Sequence, residues 1–90
     1  MEKAIITVIG KDKVGIIARV TNTLAECSVN VLDITQTILQ DMFTMMMIVD
    51  ISKSGMDISA IRDSLTATGT DLGVEIRIQH EDIFNSMHRI

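Results

Sequence analysis

The sequence predicts an α+β domain, a four-stranded antiparallel sheet with two helices on one face. The order is strand, helix, strand, strand, helix, strand. Three observations predict it. Two segments repeat their apolar residues at helical spacing, and four others carry them in runs or at every second position. Turn-forming residues separate these segments, and there is no proline in the chain. The 90 residues leave room for one domain only.

The first strand is read over residues 3–9, which are β-branched and apolar on both parities, with Gly10 as its stop. Asp12 is placed to cap a helix over about residues 13–27. Ile17, Val20, Leu24 and Cys27 make its inner stripe. The second strand, residues 29–40, alternates Leu32, Ile34 and Ile38 with Asp33, Thr35 and Thr37. That pattern suits an edge strand buried on one face. Gln40-Asp41 is the turn into a third strand, residues 42–52, whose run of Met45, Met46, Met47, Ile48 and Val49 predicts burial on both faces.

Asp57 caps the second helix, with Ile58, Ile61 and Leu65 facing inward and Met56 and Ile61 as a hydrophobic staple. Gly69 is expected to end it as a left-handed cap. Leu72, Val74, Ile76 and Ile78 alternate with Gly73, Glu75, Arg77 and Gln79 in a half-buried fourth strand. Residues 81–90 read as a tail forming a short C-terminal helix, with Ile83, Phe84 and Met87 on one side. The expected organisation is thus one domain over residues 1–90, with its core in 3–80. The arrangement is the split βαβ, or ferredoxin-like, two-layer sandwich.

Composition narrows the function. Apolar residues make up 47% and charged residues 22%, the balance of a folded domain rather than a disordered chain. Phe43 and Phe84 are the only aromatic residues, too few for stacking nucleic-acid bases, and the net charge of −4 repels a phosphate backbone. A single cysteine, Cys27, excludes an intramolecular disulfide framework. No apolar run is long enough to span a membrane, and no basic-then-apolar leader opens the chain. Cytoplasm is the default expectation, without nucleic acid or membrane as partner. Helices on one face leave the other face of an apolar sheet bare. A homodimer is expected, with a second subunit or the tail covering that face.

At Gly10-Lys11-Asp12-Lys13-Val14-Gly15-Ile16-Ile17 the sequence resembles the ACT domain, a small regulatory module that binds amino acids. Asp12, Lys13 and Gly15 match the family pattern, and Val14 stands where the family often has proline. Ser28-Val29-Asn30-Val31 is similar to the family's Gly-Val-Asn-Ile segment, with Ser28 in place of the glycine. The likeness spans about residues 3–80 and is closest to stand-alone proteins of the glycine-cleavage-repressor type. It implies a ligand site formed by Asp12, Val14, Gly15, Ile16 and, from a neighbouring subunit, Asn30. A helix start offers unpaired N–H groups and partial positive charge to a carboxylate. Asn30 can serve both ends of a zwitterion, and Asp12 can accept from an ammonium group.

Plainer readings stand beside these. Asp12 can simply cap the helix, Gly15 can allow tight helix-to-strand packing, and Asn30 can be a turn residue. The rival constellations carry less. Adjacent methionines in a strand point to opposite faces, so Met42, Met45, Met46 and Met47 read as packing rather than a soft-metal site. On a helical tail His80 and His88 lie about 80° apart and over two turns distant, too far for one metal. Cys27 reads as a small buried hydrophobe. No nucleophile–base pair, phosphate loop or metal motif is evident, so neither catalysis nor a cofactor is expected. Two functions remain: a regulatory amino-acid-binding module acting allosterically through a partner protein, or a ligand-free module for protein–protein interaction and dimerisation.

Overall fold

A computed structural model describes residues 1–11 and 14–83. The elements run β1 (Lys3–Lys11), α1 (Ile16–Glu26), β2 (Asn30–Leu39), β3 (Met42–Asp50), α2 (Ile58–Leu72) and β4 (Glu75–His80). All pairings are antiparallel, and the sheet order is β2-β3-β1-β4. This is the ferredoxin-like order predicted.

The core lies between the helices and one row of sheet side chains. Ala4, Ile6 and Val8 of β1 meet Met45, Met47 and Val49 of β3, all 0% exposed. Ile16, Val20 and Leu24 of α1 and Ile61 and Leu65 of α2 close over them. Met45 and Met47 point inward while Met46 points out, as expected for packing methionines. Cys27 is buried and free, again as expected.

Several boundaries differ from the sequence reading; β3, for one, ends at Asp50 rather than at residue 52. β1 continues through Gly10, which pairs with Phe43, to Lys11. Gly10 does not break the strand, because it is the backbone that Val74 packs against: a Cβ there would lie 2.6 Å from Val74 Cγ1. α1 starts at Ile16 rather than near residue 13, since Gly15 at its N-cap has φ 88, outside the helical region. The stripe shifts accordingly. Ile16 is buried, and Ile17 is 37% exposed on the side toward β2. Gly69 lies inside α2, where a Cβ would come 2.8 Å from the Val74 carbonyl oxygen. Gly73 (φ 74) is the left-handed cap instead. Leu72 and Val74 therefore belong to the helix end and its turn, and β4 begins at Glu75.

The burial predicted for the sheet also needs correction. β3 is buried on one face only, with Met42 and Met46 open on the other. β2 is an edge strand, as predicted, but apart from Val31, which packs against the core, neither face of it is covered by the described residues. Leu32, Ile34, Ile38 and Leu39 are 40–74% exposed. Residues 81–83 are helical. Phe84 and Met87, the remainder of the apolar side expected for the tail, lie outside the described residues. Among the described residues no helix is long and apolar enough to cross a membrane.

Candidate functional site

The start of α1 is built around Gly15. Its φ of 88 belongs to the left-handed region, where a side chain is strained. A Cβ at Gly15 would meet nothing within 4 Å. Glycine is thus required for backbone conformation and not for tight packing, which removes one of the plainer readings. The Gly15 carbonyl accepts the first helical hydrogen bond, from Arg19 N–H at 2.9 Å. Gly15 has no side chain to cap the helix, and the first turn carries no acidic residue. N–H groups at this end therefore lack a capping partner from the N-cap residue, and their partial positive charge is unneutralised within the turn.

That helix start opens into a groove of about 490 Å³ lined by Gly15, Ile16, Ile17, Ala18, Gln36, Ile38 and Phe43. Phe43 forms the buried floor, and among the described residues Gln36 is the only polar side chain of the lining. Val14, fully exposed, stands beside Gly15. Of the residues predicted for the site, Val14, Gly15 and Ile16 come together here. Asp12 lies outside the described residues. Asn30 does not join them within one chain. It pairs with Asp50 at the opposite end of β2, nine residue steps from Leu39, or about 30 Å along the strand.

Sequence reasoning missed Gln36, Ile38 and Phe43. Local periodicity placed them in strands, and only the β2–β3 register, which sets Ile38 opposite Phe43, brings them under the helix start. At the Asn30 end, the Asp50 carboxylate accepts from Ser52 Oγ (2.7 Å) and Ser52 N–H (3.0 Å). The Ser52 hydroxyl, then its backbone N–H, hold this carboxyl below the ordinary aspartate value. A wider cleft of about 660 Å³ runs between the helices, but the 2.6 Å ion pair of Arg19 and Asp71 lines it and the two charges offset each other. Among the described residues no three His, Cys, Asp or Glu side chains are grouped to hold a metal ion. His80 instead faces Glu2 at 3.4 Å.

The described residues thus form a ferredoxin-like sandwich whose α1 start, without a capping side chain among them, lies beside the β2 edge of the sheet. Comparison with known proteins makes this specific: the ACT domain pattern matches residues 2–79, and the chain belongs to the ACT domain family. A UPF0237 protein of Clostridium acetobutylicum is 57% identical over 88 residues, covering 98% of this chain and 99% of the relative. An ACT domain protein from Streptococcus pneumoniae superimposes with a TM-score of 0.81 at 47% identity, covering 92% of this chain and 93% of the other. A structure of the glycine-cleavage-repressor kind shares the fold at 22% identity and TM-score 0.77, with 88% of this chain and 45% of that one covered. The regulatory subunit of aspartate kinase from Thermus thermophilus is similar at 25% identity and TM-score 0.69, with 87% of this chain and 50% of that one covered. The family is one of regulatory domains, and no catalytic family is indicated.

Proposed function

We propose that this protein binds an amino acid or similar small carboxylate between the α1 start of one chain and Asn30 of a second copy. Binding at that junction regulates a partner protein. The observation that carries this reading is the α1 start, without a capping side chain among the described residues, opening into a groove beside an edge strand that no described segment pairs with on its outer side.

Geometry supports a shared site. Antiparallel pairing of β2 with β2 of a second copy is two-fold symmetric and self-complementary. It sets the Asn30 end of one strand against the Leu39 end of the other, where the groove lies. The six to eight residue steps between Asn30 and the groove's Gln36 and Ile38 within one chain, about 20–26 Å, become proximity across the pair. With the axis at Thr35, Asp33 faces Thr37 rather than a second Asp33, so no like charges are opposed. The pairing also covers the exposed Ile34 and Ile38. Ligand contacts made to both chains differ between two arrangements of the pair, and so shift their populations. A cytoplasmic location suits a free amino acid as signal.

The mostly apolar lining favours a second reading, a ligand-free dimerisation module in which a partner's side chains fill the groove. Isothermal titration against the standard amino acids separates the two. The sensor reading expects heat with at least one of them and its loss in Gly15→Ala. No heat and no melting shift at millimolar ligand leaves the interaction module.

A further inference from the structure

We propose that Met46 is a modification site: a peroxide oxidises its thioether to the sulfoxide, and Thr7 and Thr35 hold the oxygen it gains. The three side chains stand in one row on the helix-free face of the sheet. Met46 faces Thr7 of β1 on one side and Thr35 of β2 on the other. Residues directly opposite in antiparallel strands share a face, with Cβ atoms about 4.5–5.5 Å apart. Neither threonine hydroxyl has a hydrogen-bond partner among the described residues. β3 sorts its methionines by parity. Met45 and Met47 are buried under the helices, and Met46 between them is 41% exposed on the other side. Oxidation requires the reagent to reach sulfur, so the fold protects two thioethers and offers the third. The Cys27 thiol, the more reactive kind of sulfur, is buried and does not compete. Met42 is 44% exposed, but its row holds Lys11 and Leu39 and no hydroxyl.

In the step itself, a lone pair of the Met46 sulfur attacks one oxygen of hydrogen peroxide. The S–O bond forms as the O–O bond breaks, and the second oxygen leaves as water, taking the proton of the first. Sulfur loses two electrons and the peroxide gains them. A polar acceptor then stands where an apolar side chain stood. Each flanking threonine has one O–H to donate to it. The core on the other side of β3 is untouched. The open face, where Ile9 and Met42 are also exposed, thus turns from apolar to polar at its centre while the fold is kept.

Peptide mapping of the folded full chain after treatment with hydrogen peroxide tests the site. Met46 is expected to gain one oxygen about tenfold faster than Met45 and Met47, and all three at similar rates once urea unfolds the chain. Equal rates in the folded chain overturn the proposal. Tm before and after oxidation tests the two hydroxyls, in a Met42→Leu background that removes the other exposed methionine of β3. Oxidation at the remaining methionines is common to all these variants and cancels. With both threonines present, oxidation is expected to move Tm by no more than about 2 °C. Adding Thr7→Val and Thr35→Val, which suit a strand but cannot donate, is expected to deepen the fall by about 4–8 °C. Thr7→Ser and Thr35→Ser keep the hydroxyls and are expected to match the threonine form. An equal fall with threonine, serine and valine overturns the holding role and leaves the site at Met46. Loss of the folded circular dichroism spectrum when the threonine form is oxidised overturns the claim that the fold is kept.

Discussion

Gly10 lies directly against Val74. A Cβ built on Gly10 would sit 2.6 Å from Val74 Cγ1 and 3.2 Å from its Cα, so the side chain cannot simply swing aside. The contact joins the end of β1, just before the candidate site, to the turn between α2 and β4. Gly10→Ala is expected to lower stability by about 1–3 kcal/mol, the usual cost of overpacking. Urea unfolding measures it. Gly55→Ala, with open space around it but φ 73, should cost less, through backbone strain alone.

Thr23 and Thr68 place their hydroxyls 2.6 Å apart in the buried seam between α1 and α2. Each is also within reach of a carbonyl one turn back, Arg19 O at 3.0 Å and Ser64 O at 3.1 Å. Two hydroxyl protons serve these three contacts, so the hydroxyls depend on each other. Single replacement by valine is expected to cost about 1 kcal/mol each, with the double variant costing less than the sum. A double-mutant cycle by urea titration reads the coupling. Strict additivity would show that the pair contributes nothing beyond its separate carbonyl contacts.

Ser28 (φ 58) and Gln40 (φ 59) hold left-handed backbone conformations that glycine adopts without strain. Ser28 ends the α1 turn at the position where the resemblance expects glycine. Its N–H donates to the Ala25 carbonyl at 3.0 Å. Ser28→Gly is expected to stabilise the protein by about 0.5–1 kcal/mol, relief of strain exceeding the added freedom of the unfolded chain. A higher Tm checks it.

Asp50 supplies a pH dependence at the acid end. Its folded carboxyl titrates below its unfolded value because Ser52 donates to it twice. The stabilisation is fully present above the unfolded value of about 3.9 and is lost as pH falls through the lowered folded value. Carboxyl NMR titration is expected to show Asp50 rising toward the ordinary value in Ser52→Ala, with a shallower loss of stability in acid. An unchanged Asp50 midpoint in that variant would refute the assignment to Ser52.

The order of elements was legible because apolar spacing is a local property. Ile61 and Leu65 declare an inner helix face, and Asp57 declares its cap through a bond to Ala60 N–H at 2.8 Å, within four residues of chain. The glycines were only half legible. Sequence shows that a side chain is missing, but not whether the cause is φ, as at Gly15 and Gly73, or a neighbour remote in sequence, as at Gly10 and Gly69.

By itself the sequence determined the fold class, the family resemblance and the residues at the α1 start. The tertiary structure decided that Gln36, Ile38 and Phe43 line the same groove, that Asn30 lies at the far end of β2, and that most of β2 is left exposed by the described residues. Hydrophobic periodicity records which side of an element turns from water. Strand register and sheet order are fixed by contacts between distant segments, and those contacts determine which side chains share a site.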